Sequence, residues 1–224
     1  MTRPTIVFDV NETLLDLRGL DAPFTSIFGS SDARVDWFKQ LLQLSLLANT
    51  LEQYADFGVL SMRALAMVAA QRGHVLSDEE RKTIAAAVRA LVPHPDVTPA
   101  LTHLRGAGFR LAALTNSTGE TVQAQIVNAA LRDHFDALLS VDAVHQYKPA
   151  LATYRYAAEE LAIAIGDMLL VAAHGWDVLG AMRAGARAAF VARPGQVLIP
   201  DAPIPEIVAP TLTEVAERLV AGGG

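Results

Sequence analysis

Four stretches of this chain carry side chains able to do chemistry: Asp9 with Thr13, Thr115 with Asn116, Lys148 before Pro149, and His174 followed by Trp176 and Asp177. Asp9 follows the apolar run Thr5-Ile6-Val7-Phe8, which puts it at the tip of an expected strand. A carboxylate there can attack as a nucleophile and form an ester, or it can cap the following turn. Thr115 and Asn116 offer a hydroxyl and an amide to a bound carboxylate or phosphate; an N-cap for the next helix is the alternative for Thr115. Lys148, isolated in a neutral stretch, fits either a partner for the nucleophile's charge or a surface lysine. Asp177 reads as a helix cap or as the group that positions Lys148 or a water. His174, as a neutral imidazole, suits a general base, or it binds a backbone carbonyl and does no chemistry. The chain has no cysteine, which excludes a thiol nucleophile, disulfides, zinc–thiolate sites and iron–sulfur clusters.

These residues need a scaffold that gathers them. After Pro95, strand-like runs at 109–114, 137–140, 168–171 and 188–191 alternate with helical stretches at 99–106, 119–130, 150–162 and 177–184. Together with the strand at 5–8, this alternation predicts a doubly wound parallel α/β sheet, a Rossmann-like core with right-handed crossovers. In such a sheet ligands bind outside the carboxyl ends of the strands, and each of the four clusters falls there. Residues 20–93 read differently: Trp37, Leu41, Leu44 and Leu47, then Leu60, Ala64, Met67 and Val68, recur at helical spacing, and Ser77-Asp78-Glu79-Glu80 has capping-box form. The expected organisation is a core of residues 1–15 and 94–224 with an all-helical cap of about four helices inserted at 16–93. The proline-rich stretch 194–210 is expected to wrap the surface before a last helix at 211–220.

Composition narrows the function classes. Of 224 residues 52% are hydrophobic, enough for a sizeable core, and 18 basic against 24 acidic side chains leave a net charge of -6. With no basic stripe, nucleic acid is not an expected partner. No apolar stretch reaches the roughly 18 residues of a membrane span, and none near Met1 has signal-peptide form. The expectation is a soluble cytoplasmic protein.

The sequence Asp9-x-x-x-Thr13-Leu14, then Thr115-Asn116, Lys148-Pro149 and Asp177, with a helical insertion between the first two, resembles the haloacid dehalogenase superfamily over essentially the whole chain. The cap directly after Leu15-Asp16, Tyr154 behind Lys148-Pro149 and the pair Trp176-Asp177 resemble its type II branch, the L-2-haloacid dehalogenases. The resemblance implies Asp9 as nucleophile, supported by Thr13. Lys148 steadies it, with Tyr154 nearby, and Asp177 orders the hydrolytic end of the site. Val10, Asn11, Phe38, Thr115, Asn116, Tyr154 and Trp176 fall on the substrate side. It further implies a small carboxylic acid substrate, a metal-free double displacement without cofactor, and a homodimer formed through cap helices.

Three departures accompany the resemblance. Phe38 stands where such dehalogenases carry a cap arginine, and neither Arg34 nor Lys39 points the same way from that helix. Ala172 and His174 replace a serine and an asparagine, and Asn11-Glu12 replaces an aromatic residue and glycine. His174, on a family site position, is read as the base for the hydrolytic water. The other histidines, His74, His94, His103, His134 and His145, read as surface or cap residues. Phe38 predicts weak carboxylate binding and a gain in rate from Phe38→Arg. Two other readings are a magnesium-dependent phosphate-ester hydrolase of the superfamily and a non-catalytic binding protein. The first is disfavoured because Asn11 and Ala173 occupy the positions of its second aspartate and metal-binding acid; the second because a scaffold has no use for Asp9, Thr13, Lys148 and Asp177 together.

Overall fold

The computed structural model describes residues 3–222; Met1, Thr2, Gly223 and Gly224, the ends of the expected core segments, lie outside the described residues. Strands β1 (Thr5–Phe8), β2 (Leu111–Thr115) and β4 (Met168–Ala172) are buried along their whole length, which is why they read as unbroken apolar runs. With β3 (Ala137–Ser140), β5 (Arg187–Val191) and β6 (Ile207–Ala209) they form one parallel sheet in the order β3-β2-β1-β4-β5-β6. From β1 the chain winds outward through β2 and β3, then returns to β4 on the other side of β1. The order reverses at β1, so the crevice of the fold opens at the ends of β1, β2 and β4.

Helices α5 (Val97–Gly106), α6 (Gly119–Asn128), α7 (Leu151–Glu160) and α8 (Gly175–Ala184) connect the strands, and α9 (Leu212–Gly222) closes the chain against α5. The sixth strand corrects the expectation for 194–210. Ile207, Val208 and Ala209 pair in parallel with Ala189, Phe190 and Val191. Three residues between prolines carry almost no strand signal, but an edge position tolerates neighbouring proline.

Between β1 and α5 lie α1 (Asp21–Phe28), α2 (Asp32–Thr50), α3 (Phe57–Gln71) and α4 (Asp78–Arg89). The capping box forms as expected: the Ser77 N–H donates to Glu80 Oε2 at 2.7 Å, and the Glu80 N–H donates to Ser77 Oγ at 3.2 Å. The inward stripe of α2 is Trp37, Leu41, Ser45 and Ala48, which packs on Leu60, Ala64, Leu65 and Val68 of α3. Leu47 and Met67, members of those helical repeats, are exposed; the 3.6-residue period carries the buried face through Ser45 and Leu65. The two chain crossings into this helical segment lie side by side. The Asp16 N–H donates to the Val92 carbonyl and the His94 N–H to the Leu14 carbonyl, each at 2.9 Å.

Candidate active site

The strand ends bring the four clusters together. Lys148 Nζ is buried and has three acceptors: Asp9 Oδ1 at 2.7 Å, Asp177 Oδ2 at 2.7 Å and the Leu114 carbonyl at 3.0 Å. An ammonium has three protons to donate, so these partners fix it completely. The backbone before it is fixed too, since the Lys148 N–H donates to Asn116 Oδ1 at 2.9 Å, and Asn49 of α2 pairs with both backbone groups of Tyr147 at 2.8 Å.

Asp9 Oδ2 accepts from Thr13 Oγ1 at 2.7 Å and lies 3.2 Å from His174 Nδ1. The Thr13 hydroxyl in turn accepts from the Ala173 N–H at 2.9 Å, which ties the turn after β1 to the end of β4. Burial alone would raise the Asp9 pKa; the Lys148 charge and then the His174 hydrogen bond outweigh it and hold the carboxyl well below the usual range. Of about four acceptor positions on the carboxylate, Lys148, Thr13 and His174 occupy three, and the remaining one lies on Oδ1.

Asp177, in the first turn of α8, accepts from Tyr154 at 2.6 Å on Oδ1 and from Lys148 on Oδ2. Burial raises its pKa, the nearby Asp9 charge adds to this, and Lys148 offsets only part. Tyr154 reaches it because Gly180 has no side chain: a Cβ there would fall 2.6 Å from the tyrosine oxygen. Lys148 is therefore no surface lysine, and Asp177 makes an ion pair instead of a cap.

Thr115 is not the N-cap of α6. Thr118 is, and Thr115 Oγ1 accepts from the Ser117 N–H at 3.1 Å. Val10 is fully buried, and Asn11 is held between Ser117 Oγ and Gln125 Nε2, both at 3.1 Å. Asn11, Ser117 and Thr118 line a cavity of about 130 Å³ under the helical segment, walled by Trp37, Phe38 and Leu41. That volume suits a ligand much smaller than the drug-sized molecules that fill 300 Å³ or more.

His174 departs from expectation. Its Nδ1 faces Asp9 and its Nε2 lies 3.1 Å from Glu12 Oε2, so both nitrogens meet carboxylate oxygens that can only accept. Burial would lower its pKa, but the hydrogen bonds and charges of Asp9 and Glu12 raise it to about 9. A ring protonated on both nitrogens donates to both carboxylates and has no lone pair for a water's proton, so this geometry favours a role in holding Asp9 over that of a neutral base. His94 is also not a surface residue. It is buried beside the chain crossing, with Nε2 3.0 Å from the Glu12 carbonyl oxygen, and burial followed by the Arg193 charge lowers its pKa.

Three contributors escaped the sequence. Arg193 donates to the Thr13 carbonyl at 2.9 Å while bound to Asp96. Glu12 holds His174, and Gln196 donates to Glu12 Oε2 at 2.7 Å. Only Glu12 left a signal, as the residue standing in place of glycine.

Comparison with known proteins points to one family. Residues 4–185 match the family described as haloacid dehalogenase-like hydrolase. An (S)-2-haloacid dehalogenase of Xanthobacter autotrophicus is 32% identical over 96% of this chain and 85% of that protein. Another, from Pseudomonas sp. strain YL, is 28% identical over 98% of this chain and 95% of its own. The structure of L-2-haloacid dehalogenase from Xanthobacter autotrophicus with chloropropionic acid covalently bound superposes with a TM-score of 0.92 at 28% identity, covering 100% of both chains.

Proposed function

This chain belongs to the haloacid dehalogenase-like hydrolases, and we propose that it removes halide from small 2-haloacids by hydrolysis through an ester on Asp9. The observation that carries this reading is the buried ammonium of Lys148 lying 2.7 Å from both Asp9 and Asp177. It keeps Asp9 ionised and aligned in a site from which water is largely excluded, as a carboxylate nucleophile requires.

Asp9 attacks the carbon bearing the halogen, the carbon–halogen bond breaks with inversion, and halide leaves. Water then attacks Cγ of the aspartyl ester, so the second step does not touch the substrate carbon. The products are a 2-hydroxy acid of inverted configuration, halide and one proton. Asp177, the carboxylate whose pKa burial raises, accepts the water's proton. Thr13 steadies Asp9. Thr115 and Asn116, with the backbone at Val10 and Asn11, hold the substrate carboxylate, Phe38 and Trp176 shape the pocket, and Tyr154 holds Asp177 behind it. The donor set offers no carboxylate pair for magnesium beside Asp9, because Asn11 and Ala173 stand there, and the reaction proceeds without metal or cofactor.

Residues 16–93 act as a cap over a core of 1–15 and 94–224. A homodimer fits the exposed Leu46, Leu47 and Leu51 at the end of α2. Among the described residues no helix is long and apolar enough to cross a membrane, and a cytoplasmic location belongs to the same proposal.

The test is halide release from fluoro-, chloro- and bromoacetate and both 2-chloropropionate enantiomers, with p-nitrophenyl phosphate plus magnesium as control. A single turnover in H₂¹⁸O is expected to put label into Asp9 and leave the first product unlabelled. Label in that first product overturns the ester, and phosphate release without halide release overturns the assignment.

A further inference from the structure

Glu12 has a backbone φ of +63°, in the left-handed region where glycine is the residue without strain. A glutamate persists there only if its surroundings hold it. Its carboxylate is bound by His174 Nε2 at 3.1 Å and by Gln196 Nε2 at 2.7 Å. Gln196 is in reach because the segment after β5 lies against the start of α8: a Cβ on Gly175 would fall 2.7 Å from the Val197 carbonyl oxygen. The histidine so held is buried, with its ring centroid 5.1 Å from that of Trp176 and 5.9 Å from that of Phe38.

Resting on the haloacid reading above, we infer that Glu12 is a positioning residue, whose carboxylate holds His174 doubly protonated with Nδ1 donating to Asp9 Oδ2, and so fixes that oxygen of the nucleophile. Both ring N–H groups are engaged by carboxylates, so the imidazolium charge is matched and the ring acts through Asp9, whose Oδ2 it holds together with Thr13. The groups facing the ring support this assignment. Asp9 and Glu12 touch it, and Lys148 lies beyond Asp9 with its charge matched by Asp177. The cavity of about 480 Å³ outside His174 is lined by Asp16, Arg18, Arg34, Lys39, His94 and Arg193. Three of those cations are paired: Arg18 with Asp16, Arg34 with Asp21 and Arg193 with Asp96. Lys39 stands exposed on the outer wall.

Nitrogen NMR of ring-labelled histidine, with the His174 signal assigned from a His174→Asn variant, reads the protonation state directly. In the wild-type enzyme His174 is expected to stay doubly protonated to about pH 9. In Glu12→Gln its titration is expected to fall toward the ordinary value of about 6.5. At about pH 8 kcat for chloroacetate then falls about tenfold or more while KM changes less. A singly protonated His174 in the wild-type enzyme at about pH 8 overturns the inference, whether or not Glu12→Gln folds. So does a Glu12→Gln enzyme with unchanged titration and kcat. Absence of any haloacid turnover by the wild-type enzyme defeats the function proposed above instead, and leaves the NMR result to decide the role of Glu12 in holding the ring.

Discussion

Lys148 donates to Asp9 over 2.7 Å with both side chains buried, across 139 residues of sequence. Removing the ammonium leaves Asp177 buried with no cation beside it and Asp9 with His174 alone. Breaking such a group costs about 3–5 kcal/mol, and loss of one preorganised charge costs about 10²–10³ in kcat. Lys148→Met is therefore expected to fold, with a lowered Tm, and to turn over haloacids at least about a hundredfold more slowly. Without Lys148, burial and the Asp9 charge hold the Asp177 pKa further above its unfolded value, so stability is present at low pH and lost as that carboxyl ionises. The Tm of the variant is expected to fall as pH rises above the ordinary carboxylate range; near-wild-type kcat in the folded variant would refute the role of Lys148.

The pKa of His174 gives a second pH signature. Its folded value of about 9 lies above the ordinary imidazole value. A group raised in this way contributes stability fully present below about pH 6.5 and lost as pH rises through about 9. Wild-type Tm is expected to decline across that window, and His174→Asn to remove the decline. A wild-type Tm that is flat there would show the ring to be neutral.

Chelation separates the two hydrolytic chemistries of the superfamily. With Asn11 and Ala173 beside Asp9, magnesium lacks the oxygen ligands it demands. Halide release is expected to be unchanged by EDTA. Activity lost on chelation and restored by magnesium would refute the metal-free scheme.

The sequence carried the sheet and the strand-end clusters because both follow from short-range rules. Buried parallel strands are apolar runs, and a strand must end where Asp9, Thr115 and His174 stand. It did not carry β6, whose three residues between prolines have no pattern of their own, nor the inward face at Ser45, where a small polar residue sits on a buried stripe. The protonation of His174 was out of reach for a different reason. It depends on Glu12 standing at φ +63° and on Gln196, 184 residues away, reaching Glu12, and no local spacing encodes that meeting. Glu12 and His174 were visible only as two separate departures from the family pattern. The structure shows them to be one hydrogen-bonded pair.

That pairing changes what Phe38→Arg is expected to do. The sequence alone predicts a gain in rate, since the substitution restores the cap arginine. In the folded protein the Phe38 ring centroid lies 5.9 Å from that of His174, so a guanidinium there faces an imidazolium. Two like charges about 6 Å apart repel by about 3 kcal/mol at an effective dielectric of about 20. The single variant is expected to lower kcat/KM on 2-chloropropionate, or to drive a proton off His174. The compatible change is threefold: Phe38→Arg with His174→Asn, which removes the resident cation, and Glu12→Gly, which removes its anchor and suits the left-handed backbone. This triple variant is expected to exceed Phe38→Arg in kcat/KM on 2-chloropropionate by about tenfold or more, because each removed repulsion of about 1.4 kcal/mol is worth a factor of ten. Steady-state kinetics on the single, double and triple variants measure the coupling directly. If the folded triple variant gains nothing over Phe38→Arg, the pocket is organised for a ligand other than a 2-haloacid, and the haloacid assignment falls with it.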